Sequence, residues 1–178
     1  MAKKRIVLVG AVLSLLTFAL PARAADTTTT FSLAAGSLSI SAPASSGLGT
    51  GSTGAGTLSA QLGTVTVTDT RGALLGTWTA SVSSTDFTTG GATANETVGK
   101  GQVTYWSGTA TASSGTAVFT PGQATSGNAQ ALSVSRTAFS ASAIIGNNSA
   151  SWNPTVTVNV PAAAVAGTYT GTITHSVA

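Results

Sequence analysis

Beyond its first two dozen residues the chain carries eight readily ionised side chains: Asp26, Asp69, Asp86, Glu96, Arg71, Lys100, Arg136 and His175. Any acid–base, nucleophilic or metal chemistry has to be built from these and from the abundant hydroxyls. His175 is the single histidine, three residues from the C-terminus. A Ser–His–acid triad would need it together with one of the four acids. The sequence holds no G-x-S-x-G elbow and no S-x-x-K to mark a nucleophile. Zinc normally takes several His or Cys ligands, which one histidine and no cysteine do not supply. Calcium needs clustered oxygens, and the four acids are scattered, leaving Asp69 and Asp86 as the pair that folding could bring together. Glycoside hydrolysis needs two carboxyls at a set separation, and nothing in the spacing selects such a pair. No catalytic residue, metal site or cofactor is expected.

His175 lies in "YTGTITHSV", where Tyr169, Gly171, Ile173, His175 and Val177 alternate with Thr170, Thr172, Thr174 and Ser176. Strict alternation marks a strand with one buried and one wet face. His175 shares the apolar face with Ile173 and Val177, which predicts a buried, hydrogen-bonded imidazole rather than a catalytic one.

Two other features suit recognition. In "TDTRG", residues 68–72, the Asp69 carboxylate can accept from a backbone N–H two residues on, Arg71 can reach back to it, and Gly72 permits a positive φ. This predicts a turn clamp, with Arg71 as a candidate partner for a ligand carboxylate such as that of a peptide stem. Trp78, Trp106 and Trp152 pose the sugar-stacking question, since exposed indoles stack on rings and buried ones fill cores. Trp78 and Trp152 share faces with Val and Ala and belong to the core. Trp106 is out of phase with Val103 and Tyr105, which makes it the candidate exposed aromatic.

These residues need elements to position them. "MAKKR", the apolar run Ile6–Leu20 and Ala22-Arg23-Ala24 have the layout of a secretory signal peptide cut after Ala24. Lys3, Lys4, Arg5 and Arg23 leave with it. The formal charge of +3 and basic pI near 9.8 therefore belong to the export signal. Residues 25–178 hold three bases against four acids, a net charge of −1. That balance excludes the clustered Lys/Arg of a nucleic-acid binder or an anionic-membrane binder. No second apolar run approaches a membrane span, so no membrane partner is expected after cleavage. With no cysteine and no LPxTG-like motif, the protein is expected to be secreted and held at the cell wall or surface without a covalent bond.

Residues 25–178 suit one domain. "GTVTVTD", "TWTASV", "WNPTVTVNV" and "YTGTITHSV" all alternate with period two, and further strands are expected at Thr30–Leu33, Ser37–Ser41, Thr57–Leu62, Gln102–Trp106, Ala117–Thr120 and Ala131–Arg136. "RGALLG", "TTGGAT", "TPGQATSGN", "IIGNN" and "PAAAVAG" read as turns, and the Gly/Ser-rich residues 41–57 as a long loop. The fold class predicted is all-β, an antiparallel two-sheet β-sandwich, Ig-like in the broad sense.

Together these segments resemble the WxL domain family of Gram-positive cell-surface proteins, over about residue 31 to the end. "VTVTDTRGALLGTWTASV" is similar to the family's first signature, an Asp-x-Arg-Gly turn leading to a Gly-Trp-x-Leu strand. "AGTYTGTITHSVA" is similar to its distal signature, a Tyr followed by an aliphatic residue and a second Trp-x-Leu. Asp69, Arg71, Gly72 and Trp78 match the first, although Thr77 separates Gly76 from Trp78 and Ala80 stands in place of Leu. Tyr169 and Ile173 match the second, with His175 in place of Trp and Val177 in place of Leu. The resemblance implies non-covalent association with the wall through peptidoglycan or another wall polymer, and with exported partner proteins. The alternative expectation is a structural or adhesive module that binds another exported protein by strand addition, without wall binding. A secreted hydrolase dependent on His175 comes third.

Overall fold

Apolar and hydroxyl side chains alternate in several segments because a pleated strand sends successive side chains to opposite faces. In the computed structural model, which describes residues 26–54 and 56–178, that pattern becomes eleven strands. They are β1 (Leu38–Ser41), β2 (Thr57–Gln61), β3 (Val65–Ser84), β4 (Phe87–Thr88), β5 (Thr97–Val98), β6 (Val103–Trp106), β7 (Ala112–Pro121), β8 (Gln130–Ala131), β9 (Arg136–Trp152), β10 (Thr155–Asn159) and β11 (Ile173–Val177). The expected signal segment and its cleavage site lie outside the described residues.

Two antiparallel sheets pack on each other, as the fold class predicted. One runs β1-β3-β9-β7, with β11 also paired to β3. The other runs β2-β10-β6-β8, and β4 and β5 form a small separate pair. One hydrophobic core draws on both large sheets: Val65, Val67, Trp78 and Val82 from the first meet Val103, Tyr105, Val156 and Val158 from the second. The wet faces are closed by hydroxyl pairs across strands. Thr66–Ser151, Ser114–Ser149 and Ser81–Ser176 lie at 2.8 Å, and Ser59–Thr157 at 2.7 Å. Such pairs are the polar counterpart of cross-strand packing, and they account for a surface with so few charges.

Two of the corners at which the chain changes sheets adjoin each other. Residues 62–64 carry it from β2 to β3, and Asn153-Pro154 carries it from β9 to β10. Asn153 Oδ1 accepts the Gly63 N–H at 3.1 Å, and the Pro154 carbonyl accepts the Leu62 N–H at 2.9 Å. Gly63 has φ +95°, and a Cβ there would sit 2.7 Å from the Pro43 ring.

Several sequence expectations are corrected. "WNPTVTVNV" is not one strand, because Pro154 lacks an N–H for the ladder and marks the change of sheet. "RGALLG" and "IIGNN" are not turns. They lie inside β3 and β9, where both strands bulge against each other, with register shifts at Asp69/Ala73, Leu74/Gly76 and Gly76/Trp78. Glycine there supplies positive φ within a strand, at Gly72 and Gly146, and bends the sheet without ending it. Ala131–Arg136 is strand only at its two ends, and "YTGTITHSV" is strand only from Ile173. Thr30–Leu33 forms no strand.

Residues Ala34–Ala178 make one compact unit. Residues 26–33, outside it, are irregular and exposed throughout.

Candidate functional site

The bulged bend gathers the first set of candidate residues. β3 and β9 pair Asp69 with Asn148, just before the register slips. Asp69 accepts the Arg71 backbone N–H at 3.0 Å, which is the predicted Asx turn. Arg71 also donates Nε to Oδ1 at 2.9 Å and Nη2 to Oδ2 at 3.0 Å, a bidentate pair. Nη2 further donates to the Thr77 carbonyl at 2.9 Å, spanning the bulge from one side to the other. Asn148 Nδ2 donates to Asp69 Oδ2 at 3.2 Å, and Trp78 Nε1 donates to Asn148 Oδ1 at 2.9 Å. A continuous line of hydrogen bonds thus runs from a surface guanidinium to an indole in the core.

Burial sorts these residues. Asp69 and Trp78 are each about 1% exposed, so neither presents side-chain surface to solvent. The Arg71 side chain is 35% exposed, and Gly72 lies at the surface with φ +64°. The Arg71 hydrogen bonds hold the Asp69 carboxyl below its usual range, outweighing the upward push of burial. Asp69 also raises Arg71 in return. The turn clamp was legible in "TDTRG". Asn148 was missed, because it reaches the clamp only through pairing across the sheet. Outside the clamp the bend exposes an apolar rim: Leu74 is 78% and Leu75 72% exposed, and Leu74 pairs with the exposed Ile145.

The second set converges from three strands. His175 on β11 places Nε2 3.1 Å from the Tyr105 hydroxyl of β6, and Trp152 Nε1 at the end of β9 donates to that hydroxyl at 3.1 Å. The imidazole lies 5.7 Å from the Tyr105 ring and 6.4 Å from that of Trp152. Burial lowers the His175 pKa to about 4 and pushes the Tyr105 hydroxyl well above its usual 10. Both groups are therefore neutral at neutral pH. The hydroxyl has one proton, accepts from Trp152, and so donates to an unprotonated Nε2. A protonated imidazole would need to donate there instead, leaving the Tyr105 proton without an acceptor. The geometry gives His175 a structural bond, the arrangement expected from its place on the apolar face.

β11 pairs with β3 through Ile173↔Ser84, His175↔Val82 and Val177↔Ala80. Ile173, His175 and Val177 are half-buried, as are Tyr169 and Trp106. The Tyr169 hydroxyl lies 3.1 Å from the Asn95 carbonyl and 3.0 Å from that of Val165, tying down the loop before β11. Trp106 belongs to neither cluster by any described hydrogen bond. Its face of β6 points away from Val103 and Tyr105, as its phase predicted.

A cleft of about 170 Å³ beside His175 is lined by Leu48, Val65, Val156 and Ile173. A wider one of about 750 Å³ lies under the Gly-rich loop, against Leu58, Val98, Val158 and Tyr169, and shares Leu48 and Phe87 with the first. Gly171 makes this packing possible, since a Cβ there would meet the Phe87 ring at 2.6 Å. No charged side chain lines either cleft among the described residues.

Two of the remaining acids, Asp86 and Glu96, are used locally. Asp86 accepts the Lys100 backbone N–H at 2.7 Å, and Glu96 closes a capping box with Thr93. Asp69 lies near the start of β3 and Asp86 two residues past its end, with the length of the strand between them, so the calcium pairing does not form. Among the described residues no three His, Asp or Glu side chains come together as a metal site.

No family model, no curated protein and no solved structure matches the chain.

Proposed function

We propose that this chain is an exported, non-enzymatic β-sandwich module of the WxL type that associates non-covalently with the cell wall. One observation carries the reading. The two segments that resemble the family's signatures, far apart in sequence, lie side by side. The altered Trp-x-Leu units Trp78–Ala80 and His175–Val177 share one ladder, with Ala80 opposite Val177. Thr79 and Ala178 exchange backbone hydrogen bonds at 2.8 and 3.1 Å just beyond that pair. That two such segments build a single strand pair supports reading them as one unit.

On this reading the Trp-x-Leu positions face the core and hold the sheet together. Binding falls to the outside of the same bend, where Arg71 keeps N–H groups free of the clamp and Leu74 and Leu75 are exposed. A bend that carries both a cation and exposed aliphatic side chains suits a peptide stem, which presents a carboxylate among small apolar groups. The Ser and Thr faces add neutral hydrogen bonding.

Sedimentation with isolated sacculi tests this. The chain from Ala25 onward is expected to pellet with Gram-positive sacculi at low and at moderate salt. A protein that stays in the supernatant under both conditions removes the wall-binding reading.

A further inference from the structure

Among the described residues two features lack strand partners, and each has what the other needs. The first is residues 27–33, "TTTTFSL", which has the composition of a strand: four β-branched threonines, then Phe31 and Leu33 two residues apart. Taken by itself it forms no strand, and Phe31 and Leu33 are 86% and 87% exposed. The second is the outer edge of β7. This ten-residue strand pairs with β9 on one side and with no described strand on the other. Natural edges are usually shortened, charged or broken by proline. β7 carries no charged residue, and its one proline, Pro121, is at the end. Its inward residues Ala117 and Phe119 are only half-buried, although Phe119 packs 6.3 Å from Trp78, so the core stops uncovered at this edge.

We propose that residues 27–33 of one copy add as a strand to the β7 edge of a second copy. Phe31 and Leu33 have the two-residue spacing of Ala117 and Phe119, so they fall abreast of them on the inward face and extend the core by one strand. The intervening Ser32 points outward with Val118. Main-chain hydrogen bonds supply the affinity, and the two apolar side chains set the register. No like charges oppose one another, since residues 27–33 and β7 are both uncharged. Donor and acceptor are different surfaces, so the contact is heterologous: each copy donates once and accepts once, and assembly proceeds to rings or open chains.

The test uses the chain from Ala25 onward, which contains every strand. Wild type is expected to form concentration-dependent oligomers in analytical ultracentrifugation. A donor-deficient variant, Phe31→Asp with Leu33→Asp, alters only exposed side chains and is expected to remain monomeric. An acceptor-deficient variant, Ala117→Lys, places a charge on the inward face of the edge and is also expected to remain monomeric. Mixing the two restores one intact donor and one intact acceptor, and gives a 1:1 heterodimer that grows no further. A monomeric wild type overturns the proposal, as does a variant that assembles like wild type or a mixture that forms no dimer.

Discussion

Asp69→Ala is expected to lower the unfolding free energy by about 2–4 kcal/mol, the largest effect of any single polar change in the molecule. The size follows from which partners are orphaned. Asp69 accepts from Asn148 Nδ2 and the Arg71 backbone N–H, and it lies wholly inside the bend. An unsatisfied buried donor costs about 1–3 kcal/mol, and two are created here. The guanidinium adds less, because Arg71 is one-third exposed and can turn to water. Asn148 would then hold Trp78 without being held itself, so loosening extends into the core. Urea unfolding of wild type, Asp69→Ala, Asn148→Ala and the double variant measures this. The double variant should lose clearly less than the sum of the singles, because the two residues share a bond. Strict additivity would show that the line of hydrogen bonds from Arg71 to Trp78 is not one network.

The second large effect is a loss of stability in mild acid, and it comes from His175. Its folded-state pKa, about 4, lies below the ordinary 6.5. Between these values the unfolded chain binds a proton that the folded chain does not, so stability falls as pH falls. The contribution is fully present above pH 6.5, shrinks through that window, and is gone below about 4. At about 1.4 kcal/mol per pH unit the full loss is on the order of 3.5 kcal/mol. His175→Gln keeps an acceptor for the Tyr105 hydroxyl and cannot titrate. Thermal unfolding across this range should show a steeper fall of the midpoint for wild type than for His175→Gln, which keeps only the shallower fall due to the carboxylates. Equal slopes would mean that the imidazole is not held neutral by the core.

Much of this molecule is legible in its period-two alternation. β10, β11 and both halves of β3 follow directly from Val/Thr spacing, and the buried states of Trp78 and Trp152 follow from the faces they share. "TDTRG" predicted its own clamp because an Asx turn depends on neighbours in sequence. What escaped is what depends on distant chain. "RGALLG" has the composition of a turn, and only β9, bulging opposite it around Gly146, makes it the middle of one long strand. Asn148 completes the clamp because the register places it opposite Asp69, and no local signal near residue 148 announces that. The bond from Tyr105 to His175 joins β6 to β11 across the core, and the alternation of β11 fixes only which way His175 faces. Thr30–Leu33 shows the converse. Its local pattern is that of a strand, but a strand also needs an edge to pair with, and a free edge exists on β7.

The central claim is that the wall is gripped by the outer side of the bend, while the Trp-x-Leu positions stay inside. Leu74→Asp with Leu75→Asp tests it most directly, because both side chains are more than two-thirds exposed and changing them should leave the fold intact. In sacculus sedimentation at moderate salt, wild type is predicted to pellet. The double variant, with an unchanged unfolding midpoint, is predicted to remain in the supernatant. Equal pelleting of the two proteins, or no pelleting of wild type, would contradict the account.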